Sequence, residues 1–170
     1  MKKLISKLFE YFRFAGIAIL FYLTYAYIND NVYRFHVLAF GTVLLMSGTT
    51  ALEGLFLGNE SAEKIGYKVD RQYQLQSALA NLAISITAII VFFAKWGKFA
   101  DGAIVTAMLL FFLLSGINHA LSAIIRRNYR PVNVLRLIFS IILAAAILPS
   151  MIKAIYFSQK FKGYVRCLYY

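Results

Sequence analysis

The sequence predicts an all-α protein, a polytopic transmembrane helix bundle with about five membrane-spanning helices, and three observations predict it. Of its 170 residues 61% are hydrophobic and the mean hydropathy is +0.70. Only 15% are charged, against roughly a quarter in a soluble domain, so too little polar surface remains to coat a globule. The apolar residues fall into long uncharged stretches of about the length a helix needs to cross a bilayer. One bundle uses the whole length, and the chain is read as a single domain, 1–170.

Residues 14–29, 35–52, 72–94, 102–125 and 137–152 are free of charge. With interfacial ends added, the expected spans are about 14–29, 35–57, 72–94, 102–125 and 134–157. The first follows Met1-Lys2-Lys3, a basic start of the kind that signal peptides also have. Its Phe- and Tyr-rich core runs into Tyr25-Ala26-Tyr27-Ile28-Asn29-Asp30 without a small-x-small cleavage pattern, so a retained helix is expected. The second lies between Arg34 and Glu53, whose side chains can reach headgroups from the ends of a short span. The third and fourth hold 23 and 24 uncharged residues and can each cross a core of ~30 Å. The fifth contains Pro149, which is expected to kink it.

Eleven basic residues fall on the loops that face inward if the N-terminus is cytoplasmic, against six on the other side. The expectation is a bacterial inner membrane, the N-terminus inside and the tail outside. Tyr22, Tyr25, Tyr27, Tyr33 and Trp96 fall near the outer helix ends, where an aromatic belt sits. The net charge of +11 is scattered over loops rather than gathered on a basic helix, which fits anionic lipid headgroups as partners and excludes nucleic acid. The lone Cys167 excludes an internal disulfide framework and leaves a tail thiol or an acylation site.

At 100° per residue Thr42, Met46, Thr49 and Glu53 share one stripe of the second helix. Gln74, Ser77, Asn81 and Ser85 do so on the third, and Ser115, His119, Ser122 and Arg126 on the fourth. Packing and hydrogen bonding between helices account for the Ser and Thr. Glu53, Asn81 and His119 fall at similar depth on the inner side, and an ionisable group within a span is a functional-site hypothesis. The expected ligand-binding set is therefore Glu53, Gln74, Asn81, His119, Asn118 and Arg126, with Asn81 expected to bond Glu53 or His119 on another helix. No cofactor or metal is expected. His36 and His119 lie at opposite depths and cannot share a haem, and one His with one Glu falls short of a catalytic zinc set. There is no GxSxG and no phosphate-cradling glycine loop; Gly41 and Gly116 suit close helix approach. The function expected is thus a non-enzymatic pocket for a small molecule, a lipid headgroup or a proton. The alternatives are an accessory or assembly subunit, working as a homo-oligomer or in a larger membrane complex, and a membrane enzyme using Glu53 and His119.

Several short motifs recur in order between residues 57 and 133. They are Ala62-Glu63-Lys64-Ile65-Gly66-Tyr67, Tyr73-Gln74-Leu75-Gln76, Ala80-Asn81-Leu82, Gly116 with His119, and Asn128-Tyr129-Arg130-Pro131-Val132-Asn133. The stretch resembles an uncharacterised bacterial membrane family, domain of unknown function 6790. Tyr67 stands where that family usually has Trp, and Gln76 replaces an acid. The resemblance implies a multi-helix membrane fold and no activity. On physical grounds Gly66 should end a helix, Pro131 should fix the turn before the last one, and Asn128 and Asn133 should cap helix ends.

Overall fold

A computed structural model describes residues 2–157 of the chain; Cys167 and the basic tail lie outside the described residues. The described residues are helical apart from short turns, and no strand occurs among them. The order is α1 (Lys2–Tyr27), α2 (Asn31–Val43), a π-helical turn Leu44–Gly48, α3 (Thr49–Ile65), α4 (Arg71–Phe93), α5 (Lys98–Ile125), α6 (Pro131–Ile152) and a second π turn Lys153–Phe157. α2 and α3 run through the π turn as one rod, Asn31–Ile65, so the bundle has five helices, as expected. Four are long and apolar enough to cross a membrane: Asn31–Ile65, Arg71–Phe93, Lys98–Ile125 and Pro131–Tyr156. Their outward faces expose Ile86, Ile90, Phe93, Leu110, Leu114, Leu121, Ile141 and Ile142. A continuous apolar surface of this kind is sustained in lipid and not in water, and the protein is membrane-embedded.

The boundaries differ from expectation at two places. α1 begins at Lys2 rather than near residue 14, because 2–13 contains no Gly or Pro to stop it and its charged face finds partners on α3. That charged first half is also why α1 is not among the four apolar spans. The second helix continues past residue 57 to Ile65, with a kink at Leu57 (φ −130°, ψ 27°). The kink frees the carbonyls of Gly54 and Leu55, and the Arg71 guanidinium donates to both, at 3.0 and 2.7 Å. Pro149, where a kink is expected, lies inside α6, which runs on to Ile152 before widening into the second π turn.

Asp30 caps α2 by accepting from Tyr33 N–H, and Asp70 caps α4 by accepting from Gln72 and Tyr73 N–H. Gly66 ends α3 in the left-handed region (φ 76°), and the Tyr67 N–H closes back on the Ala62 carbonyl at 3.0 Å. Asn128 and Asn133 both donate from Nδ2 to the Ile65 carbonyl, so they secure the end of α3 rather than the start of α6. Pro131 opens α6 at its first position.

α1 packs on α2 and α3, α3 on α4, and α5 on α6. Close approach at two of these seams requires glycine. A Cβ on Gly54 would lie 2.7 Å from Ala78 Cβ, and one on Gly116 would lie 2.9 Å from Leu137 Cα. Phe35, Val43, Val105, Met108 and Ile147 fill the core. The end of the bundle at which α1 begins is its proximal end, and the opposite end is distal.

Candidate functional site

The proximal site grows from two helix faces. On α1, Ser6, Glu10 and Arg13 recur at the i, i+4, i+7 spacing of one side. On α3, Thr49 and Glu53 are one turn apart and face them. Glu53, 4% exposed, accepts at Oε1 from Ser6 Oγ (2.6 Å) and Lys64 Nζ (2.9 Å), and at Oε2 from Arg13 Nη2 (3.3 Å). Arg13 Nε donates to Thr49 Oγ1 at 2.8 Å, and Lys64 Nζ also pairs with Glu10 Oε1 at 2.9 Å. Lys64 lies 11 residues beyond Glu53, a rise of ~16 Å on a straight helix. The kink at Leu57 is what turns it back within reach.

Across from this network α5 and α6 contribute His119 and Arg136. Arg136 Nη1 is 2.9 Å from His119 Nε2. A guanidinium only donates, so Nε2 accepts and the imidazole carries its proton on Nδ1, with Asn133 as its other polar neighbour. The Tyr67 ring stacks on the His119 ring at 5.2 Å. Arg136 has no ion pair among the described residues. The two halves enclose a cavity of about 130 Å³, lined by Arg13, Glu53, Thr50, Tyr67, Gln74, His119 and Arg136, with Phe14, Phe111, Phe112 and Phe139 on its apolar side. That volume is room for several waters or for a small chemical group. The charges that line the cavity are Arg13 and Arg136 against Glu10 and Glu53; Lys64, outside the lining, pairs with both carboxylates and leaves Arg136 as the cation without an ion pair.

Of the residues expected to form the site, Glu53, Gln74 and His119 face this cavity. Asn81 does not. It is fully buried, but its Nδ2 donates to the Ser77 carbonyl of its own helix at 2.9 Å and its Oδ1 has no hydrogen-bond partner. The expected bond to another helix is thus replaced by a bond one turn back. Asn118 is exposed because it stands 100° from His119 around α5, and Arg126 is exposed because it caps the end of α5 beyond the cavity. Arg13, Lys64, Arg136, Glu10 and Tyr67 belong to the cluster and are not expected from sequence. Arg13 and Arg136 sit next to uncharged stretches, where an interfacial role is the ordinary reading. The available signal is the Ser6, Glu10, Arg13 spacing on a helix that must bury one face.

A second ionic group lies at the distal end. His36 Nδ1 is 2.9 Å from Asp101 Oδ2, Asp101 is 2% exposed, and Phe92 stacks on the imidazole at 4.5 Å.

No curated protein and no solved structure matches the chain. A family model described as a family of unknown function, DUF6790, matches residues 6–159. The match reaches well beyond 57–133 on both sides and takes in Ser6, Glu10, Arg13, Glu53, Lys64, Tyr67, His119 and Arg136. A membrane bundle of five helices whose polar residues close on one proximal cavity is therefore the setting in which to read a chain that belongs to the DUF6790 family.

Proposed function

We propose that the protein is a non-enzymatic membrane binding protein whose proximal cavity takes an anionic group, and that this end of the bundle faces the cytoplasm. The observation that carries the reading is Arg136, a guanidinium lining a cavity inside the bundle without a carboxylate partner. Glu53 and Glu10 line the same cavity but make no ion pair with Arg136, and a buried guanidinium without a direct anionic partner is costly, a cost that a bound anion offsets. A guanidinium holds five N–H donors in a fork that matches carboxylate or phosphate, and His119 occupies one side of it. Thr50 and Tyr67 line the same cavity with hydroxyls that have no hydrogen-bond partner, supplying further donors. Catalysis and proton transfer are less well served: Glu53 is held by three donors and His119 by Arg136.

The test is a thermal-shift titration of the purified protein with inorganic phosphate and with acetate. Saturating anion is expected to stabilise the wild type, by about 2.7 kcal/mol at a hundred times Kd, and to leave Arg136→Gln unmoved. No response of the wild type to either anion sinks the reading. For orientation, Cys167 is replaced by Ser and single cysteines are placed at Asn59 and Lys98. In intact cells the first is expected to be protected from an impermeant thiol reagent and the second to react; the reverse pattern puts the cavity on the outer face.

A further inference from the structure

The cavity is two-faced. Its charged side carries Arg13 and Arg136 with Glu10 and Glu53, and its apolar side carries Phe14, Phe111, Phe112 and Phe139. Four aromatic side chains beside the Arg136 guanidinium, which has no ion pair among the described residues, are poorly suited to a small hydrophilic anion, whose remaining surface needs water or further donors. They suit a ligand that is itself two-faced.

The seam between α1 and α6 shows where the apolar part of such a ligand would lie. α1 packs chiefly against α2 and α3. Two side-chain contacts mark its seam with α6. One is Tyr25 Oη with Ser150 Oγ, at 2.6 Å, toward the distal end. The other is the Phe14 ring on the Phe139 ring, centroids 4.3 Å apart, at the cavity wall. Phe14 both lines the cavity and is 39% exposed, so this ring pair forms part of the cavity wall at an accessible position. No backbone hydrogen bond or ion pair closes the wall there among the described residues, and aromatic rings can turn aside without leaving a polar group unsatisfied.

We infer that the ligand is an anionic amphiphile, a phosphate or carboxylate head on a hydrocarbon chain, which reaches the cavity from the bilayer through the α1–α6 seam. The head lies on Arg136 and Arg13 and the chain passes between Phe14 and Phe139 into lipid. This rests on the anion-binding reading above and adds the chain and the route. A lipid already concentrated in the bilayer needs no aqueous path, and its chain stays in hydrocarbon throughout.

The experiment uses the full chain in phosphatidylcholine nanodiscs, with occupancy read by native mass spectrometry. The probes are inorganic phosphate, lysophosphatidic acid, oleate and lysophosphatidylcholine. Lysophosphatidic acid or oleate is expected to bind at least about tenfold more tightly than inorganic phosphate. Lysophosphatidylcholine, with a zwitterionic head, is expected to bind at least about tenfold more weakly than lysophosphatidic acid. Which of the two anionic amphiphiles binds better assigns the head as phosphate or carboxylate. A second variant tests the route: Phe14→Cys with Phe139→Cys, in a Cys167→Ser background, bridged by a short bismaleimide. Compared with the same double-cysteine variant before bridging, the bridged protein is expected to lose uptake of the amphiphile. Equal affinity for phosphate and the amphiphiles, or undiminished uptake after bridging, overturns this inference while leaving anion binding intact. Tight binding of lysophosphatidylcholine with none of phosphate overturns the anion reading itself.

Discussion

The two buried ionic groups, one at each end of the bundle, solve the same problem in opposite ways. At the distal end His36 meets Asp101 one to one, with Phe92 stacked on the imidazole and Phe40 stacked on Phe92 at 4.1 Å. Asp101 also lies in the first turn of α5, where the helix dipole favours a negative charge. At the proximal end Arg13, Arg136, Glu10 and Glu53 line a cavity, Arg136 makes no ion pair among the described residues, and hydroxyls of Thr50 and Tyr67 have no hydrogen-bond partner there. Space and an unpaired guanidinium, rather than the presence of buried charge, distinguish a closed structural pair from a site with capacity for a ligand.

The largest effect that could break this comparison is at Glu53. Glu53→Gln leaves Arg13 and Lys64 without their shared carboxylate, an expected loss of about 3 to 5 kcal/mol. Asp101→Asn should cost only about 1 to 3 kcal/mol, because an amide oxygen can still accept a hydrogen bond from the His36 ring. Equal losses in denaturant unfolding would erase the distinction between the two ends. Next come the glycine seams. Gly116→Ala drives a methyl to 2.9 Å from the Leu137 backbone and is expected to lose about 1 to 3 kcal/mol. At Gly102 a Cβ meets only the tip of Ile155 at 3.3 Å, and the helix propensity gained by alanine, about 0.5 to 1 kcal/mol, should leave that variant near wild type. Smaller again, Arg136→Gln in the ligand-free protein should change stability by under ~1 kcal/mol or raise it, since it removes a cation that lacks a counter-ion. A loss as large as that at Glu53 would mean that Arg136 is structurally compensated. The smallest effect is expected for Asn81→Leu, about 0.6 kcal/mol, in keeping with a bond confined to its own helix; unfolding and phosphate binding should both stay close to wild type.

Much of this is legible in the sequence, and the failures have physical causes. Apolar stretches locate α4, α5 and α6 to within a few residues because hydrocarbon tolerates little else. The stripe positions His119 and Gln74 reach the cavity because α4 and α5 are regular. The stripe of the second helix fares differently. The π turn Leu44–Gly48 holds about one residue more than an α turn and so rotates α3 by ~100° relative to α2. Thr50 and Glu53 line the cavity, while Thr42, on the same stripe as Glu53 on paper, is buried elsewhere without a partner for its hydroxyl among the described residues. Neither the π turn nor the kink contains proline, and Gly48 and Gly58 there also suit close helix approach, so spacing alone does not assign Lys64 to Glu53. His36 and Asp101 escape for a simpler reason: both stand at span ends, 65 positions apart, and only the packing of α2 on α5 joins them.

The kink at Leu57 has a bearing on bilayer thickness. The rod Asn31–Ile65 is 35 residues long, about 52 Å if straight, against a hydrocarbon core of ~30 Å. Bent at Leu57, it presents the part up to that residue, ~40 Å, as a tilted span and turns the last residues before Gly66 aside. Those residues include Asn59, Glu60, Ser61, Glu63 and Lys64, all suited to headgroups rather than to acyl chains. The same bend that closes the ionic cluster therefore fits an over-long helix to its membrane, and a change in local bilayer thickness would press on the angle that holds Lys64 against Glu53.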